Sequence, residues 1–285
     1  MITIQSLSDT PVADIHSCFE KAFIDYAEPF DLTIPQLQYM IGRRGYAPDL
    51  SFGAFNNGTL VGFTLNGLGT WNGQKTVYDT GTGMIKEFRK QGLATRLFND
   101  SLPVLRAAGV KQYLLEVIRT NQNAYDLYLK AGFTVTRQFE YYVMPVAQLE
   151  LNNYQMDGLV IAETDNPDPV VFSSFQDFVP SWQNSVAAIS RKSDYFKIFG
   201  AFFDNKLVGY GIIETHTGDI PQLAVAKEFR RRKVATILFN HLIREVNPPA
   251  VRFINVQHDY EPFNRWVEHL GLKAGYGQYE MMMKL

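Results

Sequence analysis

Residues 88–98 read FRKQGLATRLF, and residues 229–239 read FRRRKVATILF. Six of the eleven positions are identical, and the two stretches lie about half a chain apart. Each joins a strand-like segment to an apolar stripe at helical spacing, so each reads as a basic strand-to-helix loop. One difference carries physical weight: the first copy has Gly92 where the second has Lys233. The echo extends outward. FGAFNNGTLVGF (52–63) returns as FGAFFDNKLVGY (199–210), each a hairpin with Asn57-Gly58 or Asp204-Asn205 at its tip. LKAGF (129–133) returns as EHLGL (268–272). The order is the same in both halves and the offset drifts by only a few residues. The chain is therefore a diverged duplication of a whole domain, not a short-period array. The break is expected within AQLELNNYQMDG (147–158), giving domains 1–148 and 149–285.

Composition limits what such a chain does. Its 285 residues are 46% apolar and 20% charged, enough for packed cores. A net charge of -2 gives no overall attraction to nucleic acid or to an anionic membrane. The single cysteine, Cys18, forms no intramolecular disulfide and reads as a small buried hydrophobe. The first ten residues lack the basic start and apolar run of a signal peptide, and no apolar stretch is long enough to span a bilayer, so a cytoplasmic protein is expected.

Within the first half, residues 13–23 have helical periodicity, TVYDTGTGMI (76–85) is strand-like with two glycines, and 93–108 forms a helical face in which Pro103 predicts a kink or an early stop. KQYLLEVI (111–118) is a buried strand, NQNAYDLYLKAG (121–132) a short helix, and 133–146 is strand-rich. The class is α/β in the α+β sense, with antiparallel hairpins early and strand–helix alternation later.

The loop RKQGLA (89–94) opens a helix, where unpaired N–H groups and the positive dipole end favour an anion. Gly92 has no Cβ, so a phosphate can approach the backbone, and Arg89 and Lys90 add charge. The sequence contains no G-x-x-x-x-G-K-[ST], and neither GLGTWNG (67–73) nor TGTGMI (80–85) matches G-x-G-x-x-G. Their glycines mark bulged or splayed strands.

R-x-x-G-x-A from Arg89 to Ala94, followed by NQNAYDLYLKAGF (121–133) with Asn121, Ala124, Leu127, Tyr128, Gly132 and Phe133 in place, resembles the GNAT N-acetyltransferase superfamily. The likeness runs from Ile4 to Val146 and continues as a degraded copy. It implies two tandem GNAT-like domains, each a mixed, mostly antiparallel twisted sheet flanked by helices. It implies acetyl-CoA as co-substrate, no metal, and transfer of the acyl group to a primary amine of a small molecule or peptide by direct attack. The residues it places against the cofactor are Met84, Ile85, Arg89, Lys90, Gln91, Gly92, Leu93, Ala94, Thr95, Asn121 and Ala124. It makes Tyr128 the proton donor to the leaving thiolate. The base stays open between Asp79 and Glu116, with Asp79 preferred. Simple alternation puts Tyr78, Thr80 and Thr82 opposite Asp79, and a bulge at Gly81 or Gly83 would reverse this. The acceptor cleft is expected at Tyr26, Glu28 and Phe30.

The second half loses these features together. Lys233 replaces Gly92, Val267 aligns with Tyr128, Tyr260 aligns with Asn121, and Pro221 interrupts the strand before the loop. RRRK (230–233) reads as a residual phosphate site, as nucleic-acid binding, or, preferred, as a solvated basic face. The second domain is expected to be non-catalytic, and the chain to be a monomeric pseudo-dimer or a homodimer. Two alternatives remain at this stage: an acyl-CoA sensor without turnover, and a structural protein that binds no cofactor.

Overall fold

The computed structural model describes residues 1–25, 31–164 and 168–285. In chain order the elements are β1 (Ile2–Ser6), α1 (Val12–Phe23), α2 (Ile34–Arg43), β2 (Phe52–Asn56), β3 (Thr59–Trp71), β4 (Gln74–Met84), α3 (Leu93–Ala107), β5 (Gln112–Ile118), α4 (Gln122–Lys130) and β6 (Thr134–Pro145). There follow β7 (Leu159–Glu163), α5 (Pro169–Phe175), α6 (Val186–Ser190), β8 (Phe196–Phe203), β9 (Lys206–Glu214), β10 (Gln222–Val225), α7 (Val234–Val246), β11 (Ala250–Gln257), α8 (Glu261–His269), β12 (Lys273–Ala274) and β13 (Gln278–Lys284).

These elements gather into two compact units that do not divide at one point in the sequence. Unit 1 takes residues 1–117, 121–136 and 280–285; unit 2 takes 118–120 and 137–279. A cut at residue 148 is what a repeat pattern suggests, because a repeat is read along the chain. Strand pairing is not local, so the last six residues complete the first unit and most of β6 belongs to the second.

In unit 1, β1 to β4 form an antiparallel meander, β5 joins β4 in parallel, and β13 lies beside β5. The hairpin between β2 and β3 turns on Asn57 and Gly58, both at positive φ as a two-residue tip requires. Helices α1 and α2 cover one face. Ile15, Cys18, Phe19, Leu37 and Ile41 pack there on Phe63 and Leu65, and burial pushes the Cys18 thiol up to about 12. Helix α2 opens on a capping box between Thr33 and Gln36. Helix α3 is not cut short by Pro103; it continues to Ala107.

In unit 2, β7 to β10 form an antiparallel sheet in the order β10-β9-β8-β7, and β11 and β12 pair with β6. Helix α7 packs Leu238, Phe239, Leu242 and Ile243 into a core with Phe253 and Val267. The turn after β9 depends on Gly218. Its φ is +71°, and a Cβ there would lie 1.9 Å from the carbonyl oxygen of Ala250. Gly218→Ala is expected to destabilise the protein by about 3 kcal/mol or more, combining left-handed strain with forced backbone movement, as a lowered melting temperature will show.

Candidate active site

The candidate site of unit 1 begins with a fault in strand β4. Leu65 on β3 faces Gly81 and Asn66 faces Asp79, so Thr80 is an extra residue bulged out of the ladder. The bulge lies one residue before Gly81 and three before Gly83, the two sequence-based alternatives. It brings Thr82 to the same side as Asp79, where its hydroxyl donates to the Asp79 carboxylate at 2.8 Å. The Gly81 N–H donates to the other oxygen at 2.9 Å. Tyr128, projecting from α4, donates to Asp79 Oδ2 at 3.1 Å. The fold thus joins Asp79 and Tyr128, 49 residues apart, in one hydrogen-bonded pair.

The pair lies deep. Burial raises the Asp79 carboxyl above its ordinary value, opposed by the hydrogen bonds from Thr82, Tyr128 and Gly81. Burial, followed by the Asp79 charge, holds the Tyr128 phenol well above 10, so it is protonated at neutral pH. Around them, Phe133 meets Tyr128 edge-on with ring centroids 5.6 Å apart. Tyr113 donates to Asn66 Oδ1 at 2.6 Å. Arg44 holds the bulge by donating to the Thr80 carbonyl at 2.8 Å. These supporting side chains were not found by sequence reasoning, because nothing in the local pattern links Arg44, Asn66 or Tyr113 to Asp79. Glu116 takes another place. It hydrogen-bonds to the buried Tyr78, the neighbour whose side chain leaves the strand on the face opposite Asp79.

A gap opens next to the pair. Strand β4 pairs with β5 only over Thr76–Tyr78 against Gln112–Leu114. Beyond that, among the described residues, no ladder joins the two strands. Residues 79–84 and 115–118 thus flank a stretch without ladder bonds, in which the Gly81 N–H and the Thr80 carbonyl are engaged by Asp79 and Arg44. The loop follows the end of β4 and leads into α3. Lys90 and Gly92 both have positive φ, at 60° and 74°. Gly92 caps α3 in the left-handed conformation with no side-chain cap on the first turn, and a Cβ at Gly92 would meet nothing within 4 Å. The space beside Gly92 is open, and the first N–H groups of α3 have no side-chain cap.

The other residues expected at the cofactor divide by role. Arg89 is anchored: its guanidinium donates to both Asp25 oxygens at 2.7 and 2.8 Å, to the Ala22 carbonyl at 2.8 Å and to the Met84 carbonyl at 2.9 Å. It pins the loop to α1 through side-chain contacts. Gln91 donates back to the Glu87 carbonyl at 2.8 Å, and the Ile85 N–H to Val61. Leu93 is buried in the core, whereas Lys90 and Thr95 are exposed and Ala94 is half-buried. Asn121 caps α4 by accepting from the Ala124 N–H at 3.2 Å, which positions the helix bearing Tyr128. Tyr26, Glu28 and Phe30 lie outside the described residues.

The second loop repeats this backbone. Arg231 and Lys233 have φ of 62° and 68°. Arg230 donates to the Val225 carbonyl at 2.9 Å, to Asp177 at 2.8 Å and to the Phe175 carbonyl at 3.1 Å, the same anchoring as Arg89. The phenol has no counterpart here: Val267, which aligns with Tyr128, is fully buried in an apolar core.

A model of the acetyltransferase (GNAT) family matches residues 13–133 and again 161–271, together most of the chain. The chain belongs to the acetyltransferase (GNAT) family. N-alpha-acetyltransferase 30 of Dictyostelium discoideum is 34% identical over 140 residues, 48% of this chain and 70% of that protein. N-alpha-acetyltransferase 30 of Schizosaccharomyces pombe is 28% identical over 145 residues, 50% of this chain and 91% of that one. A tandem GNAT protein from the clavulanic acid biosynthesis pathway superposes with a TM-score of 0.73 at 15% identity, covering 100% of this chain and 98% of its own, and so shares the two-domain fold. Membership in this GNAT family makes the chain an acetyltransferase that uses an acyl-CoA donor and an amine acceptor. Among the described residues, no helix is long and apolar enough to cross a membrane.

Proposed function

We propose that unit 1 transfers an acetyl group from acetyl-CoA to the α-amine of a polypeptide, and that unit 2 is non-catalytic. The observation carrying the reading is the Tyr128–Asp79 hydrogen bond at the mouth of the β4/β5 gap. The donor's amide-bearing arm fits between the splayed strands, and its diphosphate fits against the N–H groups of Gly92 to Thr95. The amine nitrogen attacks the thioester carbonyl, the C–S bond breaks, and one proton must move from nitrogen to sulfur. Asp79 takes up the amine proton. Once protonated, it donates to the Tyr128 oxygen, and the Tyr128 hydrogen turns to the departing thiolate.

The α-amine is favoured on chemical grounds as well as by the two N-alpha-acetyltransferase relatives. An α-amine has a pKa of about 7.7–8.0, against about 10.4 for lysine. A sizeable fraction is neutral at pH 7, so a carboxylate base suffices. The test is a panel of peptides and small amines assayed by release of free CoA thiol. Turnover with free α-amines and none with Nα-blocked, lysine-bearing peptides supports the proposal. The reverse preference rejects the acceptor. Acetyl-CoA at 100 times its Kd is expected to stabilise the protein by about 2.7 kcal/mol. Gly92→Asp, which sets a carboxylate in the open space beside the loop at a conformation Asp tolerates, is expected to abolish that shift. A chain that shows no shift with acetyl-CoA would be a structural protein instead.

A further inference from the structure

The end of α2 is stitched to β3 beside the bulge. The Ala47 N–H donates to the Asn66 carbonyl and the Leu68 N–H to the Gly45 carbonyl, both at 2.8 Å, and Tyr46 bridges Gly67. Asn66 and Gly67 are the residues that face Asp79 and Tyr78 across the sheet. The approach is close. A Cβ at Gly67 would lie 2.1 Å from the Arg44 carbonyl oxygen and 3.4 Å from the Thr80 methyl group, so the chain comes this near only because residue 67 has no side chain. The helix end thereby delivers Arg44 to the bulge.

Thr80 needs what Arg44 brings. A bulged residue leaves its ladder. Strand β5 stops pairing with β4 at Tyr78, so neither strand pairing includes Thr80. Thr80 is buried, where an unpaired carbonyl is costly. The Arg44 guanidinium donates to that carbonyl at 2.8 Å, and the Thr80 hydroxyl donates to the Leu65 carbonyl at 3.0 Å. Both contacts hold the extra residue in place. A slip of one residue in register would turn Asp79 to the other face.

The guanidinium also brings a permanent charge. Burial raises the Tyr78 phenol and the Asp79 carboxyl, and the Arg44 charge opposes the rise at each. Among the described residues, the phenols of Tyr78 in β4, Tyr113 in β5 and Tyr128 in α4 share this interior with Asp79, and beyond Tyr78 lies the Glu116 carboxyl. None of these four is a cation, so Arg44 supplies the positive charge.

We propose that Arg44 is a positioning residue for acyl transfer, fixing the bulge at Thr80 so that Asp79 meets Tyr128 as a carboxylate. Its role rests on Asp79 acting as the base, as proposed above.

Arg44→Gln, Arg44→Lys and Asp79→Asn are each compared with the unsubstituted chain by melting temperature and by kcat across pH, using acetyl-CoA and a peptide with a free α-amine. Arg44→Gln removes the charge that opposes the rise at Asp79. The pH window in which Asp79 costs stability is expected to move up by about half a pH unit or more, and the acid limb of kcat with it. At pH 7, kcat is expected to fall about tenfold. Arg44→Lys keeps the charge and a donor, and should leave both midpoints in place and restore most of the rate. A residue that only supports the fold would lower the melting temperature at every pH without moving either midpoint, and that result overturns the proposal. An acid limb that survives Asp79→Asn rejects Asp79 as the base and the role of Arg44 with it. A limb that Asp79→Asn abolishes and Arg44→Gln leaves in place rejects Arg44 alone.

Discussion

Tyr128→Phe is expected to lower kcat about a hundredfold or more, equivalent to about 2.7 kcal/mol of transition-state stabilisation, with the affinity for acetyl-CoA unchanged. The change removes one oxygen from a ring that Phe133 holds edge-on, so the packing persists. Asp79 keeps the Gly81 N–H and the Thr82 hydroxyl as donors, which limits any loss of stability to about 1 kcal/mol. The split between kcat and cofactor affinity is the informative result. A phenol that only fills space would leave kcat within a few-fold of the unsubstituted chain, and such a result would reject the relay.

Asp79→Asn is expected to reduce acyl transfer by a comparable factor and at the same time to stabilise the protein at neutral pH. The sign follows from the direction of the shift. Burial raises the Asp79 carboxyl above its unfolded value of about 3.9. The folded state then binds more protons than the unfolded state between that value and the raised one. Stability falls as pH rises through this window, and the charged form remains a burden above it. A neutral amide of the same shape removes the burden, so the melting temperature at pH 7 should rise and its slope across the acid window should flatten. Activity shows the complementary limb: the rate of the unsubstituted chain should rise with pH as Asp79 ionises. A substituted chain that melts lower at pH 7 with an unchanged acid slope would contradict this account.

The two substitutions test one pair from its two sides, and the pair shows how far local pattern reached. The R-x-x-G-x-A loop and the helix bearing Tyr128 are contiguous signals, legible because each needs only neighbours in the chain. The hairpin tips at Asn57-Gly58 and Asp204-Asn205 are local signals for the same reason, as is the Thr33-to-Gln36 capping box, whose partners lie three residues apart. Arg89 differed. Its charge suggested contact with phosphate, yet Asp25 and two further carbonyl groups claim the guanidinium. That contact spans 64 residues, a range over which no periodicity carries information. The basic cluster 230–233 is exposed at Arg231, Arg232 and Lys233, as a solvated face requires. What local pattern did not carry is that Arg231 and Lys233 also line a cavity, because its other walls come from 176–184 and 253–269.

The amino-acid sequence by itself determined the duplication, the mixed α/β class, the family motifs and the loss of the phenol from the second copy, all of them properties of residue identity and short spacing. Tertiary structure alone decided the rest. It placed the bulge at Thr80, turned Thr82 toward Asp79, set Asp79 rather than Glu116 against Tyr128, and gave the C-terminal strand to the first unit. The physical reason is common to all four. Register and partner in a sheet are chosen by which side chains pack and which backbone groups find hydrogen bonds across long sequence separations. A one-residue insertion that reverses a strand's faces leaves almost no trace in the pattern of the strand itself.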